Sequence, residues 1–189
     1  MFIIFKERNV CLLELHHRKQ NRLQDYDYSQ NGAYFITICT KKREQILSNI
    51  VGGGDPDAPC TTNNVAQIIL TEYGKIVDEY IKMISKKYPT TRVDAYILMP
   101  DHIHMVITIV GDGSAVPQKN QGRANPAPTI GNIIGWFKYV TTKIIANHWD
   151  ASDNRLWQRS YHDHVIRNAE EYRAICQYIA DNPARWLHR

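Results

Sequence analysis

Two histidines one residue apart, His102 and His104, stand in the stretch "MPDHIHMVI" (99–107). On an extended strand, residues i and i+2 project to the same face. Both imidazoles therefore point the same way, close enough for two ring nitrogens to meet one ion. Imidazole suits a range of divalent ions. Two ligands fall short of the four that a closed structural zinc site takes. The pair thus fits an open site, with a third ligand from elsewhere and room for water or substrate. It fits equally a strand end at which both rings are merely hydrogen-bonded or hydrated.

A candidate for the third ligand lies in the segment "AEEYRAICQYIADN" (169–182). With 3.6 residues per helical turn, Tyr172, Ile175, Cys176 and Ile179 gather on one apolar face, which makes Tyr172 a core residue. Tyr178 lies about 120° to the side by the same periodicity. It shares that flank with Glu171, Ala174 and Asn182. Asn182 follows Tyr178 by one turn, so the two stack on one surface. An amide oxygen there could complete a ligand set, beside a phenol presented to whatever the metal binds. Asn182-Pro183 reads just as well as a helix stop.

The elements that must position these groups can be read from the pattern. "AYFITICT" (33–40) is rich in aromatic and β-branched residues and predicts a buried strand. "TRVDAYILMP" and "HIHMVITIV" predict two strands whose short connection pairs them antiparallel. Residues 65–88 carry Ile69, Tyr73, Ile76, Tyr80 and Ile84 at steps of three and four, one face of a long helix. Thr129 reads as the N-cap of a second helix. A short strand and turn are expected within 155–167. Asn168 and Glu171 then resemble a capping box that opens the last helix, which Pro183 ends. Two loops, 51–64 and 111–128, are dense in chain breakers.

The resulting order is β-α-β-β-α-β with one helix left over. It predicts an α+β, ferredoxin-like (RRM-like) antiparallel sheet with helices on one face, plus a C-terminal helix that bears the tyrosine. Residues 1–32 form an irregular basic lead-in, and 33–189 form the domain.

A chain of 189 residues supports one domain with a sizeable core. The net charge of +4 permits a nucleic-acid partner without demanding one. Cys11, Cys39, Cys60 and Cys176 are scattered, with no C-x-x-C pair. That argues against a disulfide scaffold or a cysteine zinc site and suits a reducing cytosol. The N-terminus lacks the order of a signal peptide. No apolar run approaches the roughly 20 residues that cross a bilayer. A cytoplasmic location without a membrane partner is expected.

Assembled, these motifs carry a resemblance. "MPDHIHMVI" resembles the His-hydrophobic-His (HUH) strand of the single-tyrosine transposases of small bacterial insertion sequences, and most of all that of the REP-associated tyrosine transposases. "RLQDYDYSQNGAYFITICTKKRE" is similar to that group's opening segment and first strand. "LWQRSYHDHVIRNAEEYRAICQYIADNP" is similar to its closing segment with the tyrosine helix. The likeness spans residues 18–186 apart from the two loops.

It implies that His102 and His104 are metal ligands, that Tyr178 is the nucleophile, and that Asn182 is the third ligand. Many insertion-sequence members carry a glutamine at that last position. Tyr161 and Tyr172 are rival nucleophiles. The implied reaction is nicking and rejoining of single-stranded DNA through a covalent 5′-phosphotyrosine, as in transposition or REP-element processing. Mg²⁺ or Mn²⁺ would be the cofactor, because a phenol with a pKa near 10 needs help at neutral pH.

The expected partner is a single strand folded into a hairpin. Arg18, Lys19, Arg22, Lys41, Lys42, Arg43 and Arg167 are the candidates for its phosphates; Trp157 and Tyr161 could stack on bases, although a Trp buried at the sheet edge explains Trp157 better. Insertion-sequence relatives work as dimers that can share the tyrosine helix, whereas REP-associated members can act as monomers, so the resemblance leaves a homodimer and a monomer both open. Two other classes stay open: an inert module that binds a DNA or RNA hairpin on its sheet, and a metal hydrolase without a covalent intermediate.

Overall fold

The computed structural model describes residues 27–28, 30–52, 66–110, 128–146 and 155–187. Arg18, Lys19, Arg22, nearly all of the basic lead-in and most of both expected loops lie outside the described residues.

Four strands form the main sheet: β1 (Gly32–Cys39), β4 (Thr91–Leu98), β5 (His102–Ile109) and β6 (His162–Ile166). Their order is β4-β5-β1-β6, antiparallel throughout. This is the ferredoxin-like arrangement that the element order predicts. Three helices, α1 (Glu72–Lys87), α2 (Ile130–Ala146) and α3 (Ala169–Leu187), complete the fold.

Strand alternation decides what each face buries. Tyr34, Ile36 and Ile38 of β1 and Ile103, Met105 and Ile107 of β5 point to one side. There they pack with Val77, Ile81 and Ile84 of α1 and Ile133, Ile134 and Phe137 of α2. The other side carries Phe35, Ala95, Ile97, Val106 and Ile166, which pack against Tyr172, Ile175, Cys176 and Ile179 of α3. Two helices therefore cover one face and the tyrosine helix covers the other. This double cover explains why β5 is buried at seven of its eight positions and reads as a continuous apolar run.

The structure departs from the sequence reading at two helix boundaries. First, the helix expected from residue 65 starts at Glu72. Gln67–Leu70 instead form β3, which pairs with β2 (Ser48–Val51) in a separate two-stranded sheet. Ile69 is an exposed strand residue, not a helix-face residue. Thr71 sets the start, because its side-chain oxygen accepts from the Gly74 N–H at 3.0 Å and satisfies one of the helix's orphan donors. Gly74 is required by a close approach: a Cβ there would sit 1.9 Å from the Leu47 carbonyl oxygen.

Second, α3 does not end at Pro183 but runs through it to Leu187. Proline forfeits one helical hydrogen bond. Ile179, Asn182 and Pro183 are all buried at this point, and that packing carries the helix onward.

The two other predicted caps hold. Thr129 Oγ1 accepts from Asn132 N–H at 3.2 Å, and Asn168 Oδ1 accepts from Glu171 N–H at 2.8 Å.

Candidate active site

β5 places His102 and His104 on the α3 side of the sheet, in register with Cys39 and Thr37 of β1. Both are buried, 3% and 6% exposed. Their Nε2 atoms stand 3.1 Å apart. The opposite nitrogens are both engaged: His102 Nδ1 lies 2.5 Å from Asp101 Oδ1 and His104 Nδ1 lies 2.9 Å from Thr37 Oγ1. A partner on Nδ1 fixes the ring and leaves Nε2 as the outward atom, which is how protein imidazoles are held for metals.

The donor set fits a divalent ion. Two cis ligands at about 2.1 Å from an octahedral centre lie about 3.0 Å apart, close to the spacing found. Among the described residues, no set of three His, Cys, Asp or Glu is placed to hold a metal. A third protein ligand from the described residues would therefore be of another type, such as an amide. Asn182 is 3% exposed. Its Nδ2 donates to the Tyr178 carbonyl at 3.1 Å, which leaves Oδ1 as the atom suited to ligation.

Tyr178 comes to the pair from α3. Its ring centroid is 5.4 Å from that of His104 and 6.1 Å from that of Phe35, and Phe35 stacks on His104 at 5.2 Å. The Arg185 guanidinium lies over the Tyr178 ring, 5.4 Å from its centroid, a cation–π distance. The Trp186 ring centroid is 6.0 Å from that of His102.

The other two tyrosines of the closing segment are placed differently. Tyr172 hydrogen-bonds Asp94 on β4, and burial together with that carboxylate pushes its pKa up to about 12. Tyr161 packs against the core on the α1–α2 side of the sheet, away from the histidines.

Arg43 joins the site through Asp101, with Nε 3.0 Å from Oδ2. Lys41 and Lys42 share its turn. Backbone bonds from Lys41 to Leu156 (2.8 Å) and from Gln158 to Cys39 (2.9 Å) lay residues 155–159 alongside that turn. A groove of about 450 Å³ there is lined by Lys138, Tyr139, Lys143, Arg155, Gln158 and Arg159 among others. The Lys138 ammonium is committed to the carbonyls of Gln158 (2.5 Å) and Arg159 (3.2 Å), and burial lowers its pKa. Tyr139 is 64% exposed at the rim.

Arg167 is not brought to the histidines. It follows Ile166, which pairs with Ala33 of β1, four positions along that strand from the Thr37 that pairs with His104. Its backbone N–H caps Glu171 at 2.8 Å, and His164 Nε2 meets the same carboxylate at 2.6 Å. His164 thus anchors the start of α3. Those two contacts, the Arg167 N–H first, hold the Glu171 carboxyl below its ordinary range. Trp157 is buried and donates to Thr141 Oγ1 at 2.9 Å. It is a core residue and not a stacking platform.

Sequence reasoning missed Thr37, Phe35, Asp101, Arg185 and Trp186. Asp101 had a signal, an acid directly before a candidate ligand. Arg185 and Trp186 follow Tyr178 and Asn182 at seven and four residues, a readable helical spacing once the helix passes Pro183. Thr37 and Phe35 are fixed only by the β1–β5 register.

No protein-family model matches the chain. An uncharacterized protein of Haemophilus influenzae is 30% identical over 184 residues, covering 91% of each chain. Among solved structures, a REP-associated tyrosine transposase bound to a REP hairpin superposes with a TM-score of 0.54 at 19% identity, covering 87% of this chain and 73% of the other. A putative transposase from Deinococcus radiodurans aligns with a TM-score of 0.43 at 18% identity, over 86% of this chain and 96% of the other. The chain belongs to one family with the Haemophilus influenzae protein, and its fold is that of a REP-associated tyrosine transposase.

Proposed function

We propose that this protein is a DNA-processing enzyme of the transposase type that nicks and rejoins single-stranded DNA through Tyr178. One observation carries the reading. The chain's converging imidazole pair and a tyrosine from the opposite helix meet on one face, with a glance of only 5.4 Å between the His104 and Tyr178 rings.

In the reaction, the Tyr178 oxygen bonds to the scissile phosphorus as the P–O3′ bond breaks. The phenol loses its proton and the departing 3′-oxygen gains one. The phosphoester is conserved in the 5′-phosphotyrosine, so a later 3′-hydroxyl reverses the step without an external energy source. A divalent ion held by His102, His104 and Asn182 would supply positive charge to the phosphate. Arg185 sets a guanidinium against the ring that carries the developing phenolate. The burial of both histidines strengthens each of these charge interactions relative to water.

For the partner, the fold relative bound to a REP hairpin and the groove beside Lys41, Lys42 and Arg43 support a hairpin-forming single strand. Its phosphates would contact Lys143, Arg155 and Arg159 in that groove.

The test is incubation of the full chain with Mn²⁺ and a labelled hairpin oligonucleotide, followed by a denaturing gel. A protein–DNA adduct that is lost in Tyr178→Phe is expected. Cleavage without an adduct would indicate a hydrolase, and binding without cleavage an inert module; either outcome overturns the reading.

A further inference from the structure

The contacts that orient His102 extend outward to a strained turn. Lys42 and Arg43 have φ of 54° and 59°, the left-handed region that is unfavourable for an L-residue. Such strain persists only where surrounding contacts enforce it, and it concentrates at functional sites.

Here Thr40 enforces it. Thr40 is fully buried. Its N–H donates to the Asp101 carbonyl at 2.9 Å, and its own carbonyl accepts from the Arg43 N–H at 3.2 Å. Its hydroxyl lies 2.8 Å from the Glu44 carbonyl and 2.9 Å from that of Asp101. The turn is thereby clamped to the residue that precedes His102.

The clamp aims the Arg43 guanidinium at the back of the histidine pair. Nε donates to Asp101 Oδ2 at 3.0 Å and Nη1 to Cys39 Sγ at 2.9 Å. Asp101 is 5% exposed, and its other oxygen meets His102 Nδ1. An ionised carboxylate only accepts. The carboxylate oxygen accepts from Nδ1–H, and His102 Nε2 faces His104 Nε2 at 3.1 Å. Arg43 keeps further N–H donors of its five on a side chain that is 46% exposed.

We propose that Asp101 is a positioning residue for the metal centre and Arg43 the outer end of the same relay. The guanidinium that locks the Asp101–His102 pair also presents its remaining N–H groups to a phosphate of the bound strand. Strand binding and ligand orientation are thereby coupled through one side chain. The proposal rests on reading His102 and His104 as metal ligands.

The experiment needs no turnover. Mn²⁺ affinity is measured on the full chain without DNA, from the electron paramagnetic resonance signal of the free ion. The His102 tautomer is read from its ¹⁵N shifts. In the wild type, Mn²⁺ binds and Nδ1 carries the proton. Asp101→Ala is expected to weaken Mn²⁺ 10- to 100-fold, the usual effect of removing such a partner, and to shift the tautomer toward Nε2–H. Asp101→Asn keeps the shape and a weaker acceptor, so a smaller loss in the same direction is expected; it carries the test if the alanine variant does not fold.

Addition of a hairpin oligonucleotide should tighten Mn²⁺ binding in the wild type but not in Arg43→Ala. Unchanged affinity and tautomer in a folded Asp101 variant overturn the positioning role while leaving the metal site standing. Equal tightening in Arg43→Ala overturns the coupling. A wild type that does not bind Mn²⁺ overturns both this relay and the reading beneath it.

Discussion

Among the residues, the decisive contrast is between three tyrosines in one segment. Tyr172 is tied to Asp94 with its pKa near 12, and Tyr161 faces the opposite core. Tyr178 alone of the three stands ring to ring with His104. Sequence periodicity already separated Tyr172 from Tyr178, because a 3.6-residue repeat puts them on different flanks. It was silent on Tyr161, whose side of the sheet depends on strand register.

The same contrast applies to the proposed ligands. The H-x-H spacing was legible, whereas the contact that orients His104 comes from Thr37, sixty-seven positions away. Thr37→Val keeps the shape and removes that oxygen. It is expected to weaken Mn²⁺ binding about tenfold with little change in melting temperature, measured by titration and calorimetry. Asn182→Ala should weaken Mn²⁺ further than Asn182→Gln, which restores a carboxamide at the same place. Equal affinity in all three forms would remove Asn182 from the ligand set.

Among the elements, α3 is what brings Tyr178 to the sheet, and a polar clasp fixes it. Asp94 receives hydrogen bonds from Arg92 and Thr108 and from Tyr172. Burial pushes its carboxyl up, but these bonds and the Arg92 charge outweigh that and hold it below its ordinary value. A carboxylate whose folded pKa lies below the unfolded value near 3.9 stabilises fully above that value. The contribution disappears as pH falls through the lower folded value. Wild type should therefore lose more stability than Asp94→Asn on acidification from about pH 5 to pH 2, measured by urea unfolding across that range.

Helix α1 offers a second test. Gly74→Ala forces a Cβ into the Leu47 carbonyl and is expected to cost about 1–3 kcal/mol, read from the same unfolding curves. The existence of the helices was legible from their periodicity. Their ends were not, because Thr71 capping and the burial around Pro183 depend on what the helix packs against.

For the whole molecule, the sheet is covered on both faces, and the histidines lie under the helix that carries the tyrosine. The order β-α-β-β-α-β was enough to reach this topology. The small β2–β3 sheet escaped notice because Gln67–Leu70 continues the helical apolar spacing seamlessly. Basic residues far apart in sequence, Lys41–Arg43 and Arg155–Arg159, become neighbours only through backbone pairing of the folded chain. If hairpin DNA tracks this surface, Lys143→Ala and Arg159→Ala should each weaken binding. Each should also reduce the slope of log affinity against log salt by about one. Filter binding at several salt concentrations checks this. Unaltered slopes would move the strand to another face.

In the proposed reaction, Tyr178 attacks DNA beside a metal held by His102 and His104. Peptide mapping of the chain after reaction with Mn²⁺ and a hairpin oligonucleotide distinguishes this reaction from its rivals. A nucleotide-bearing phosphotyrosine is expected on the peptide that contains Tyr178, absent when His102 and His104 are both replaced by alanine. A phosphotyrosine at Tyr161 or Tyr172, or one that persists without the two histidines, would contradict it.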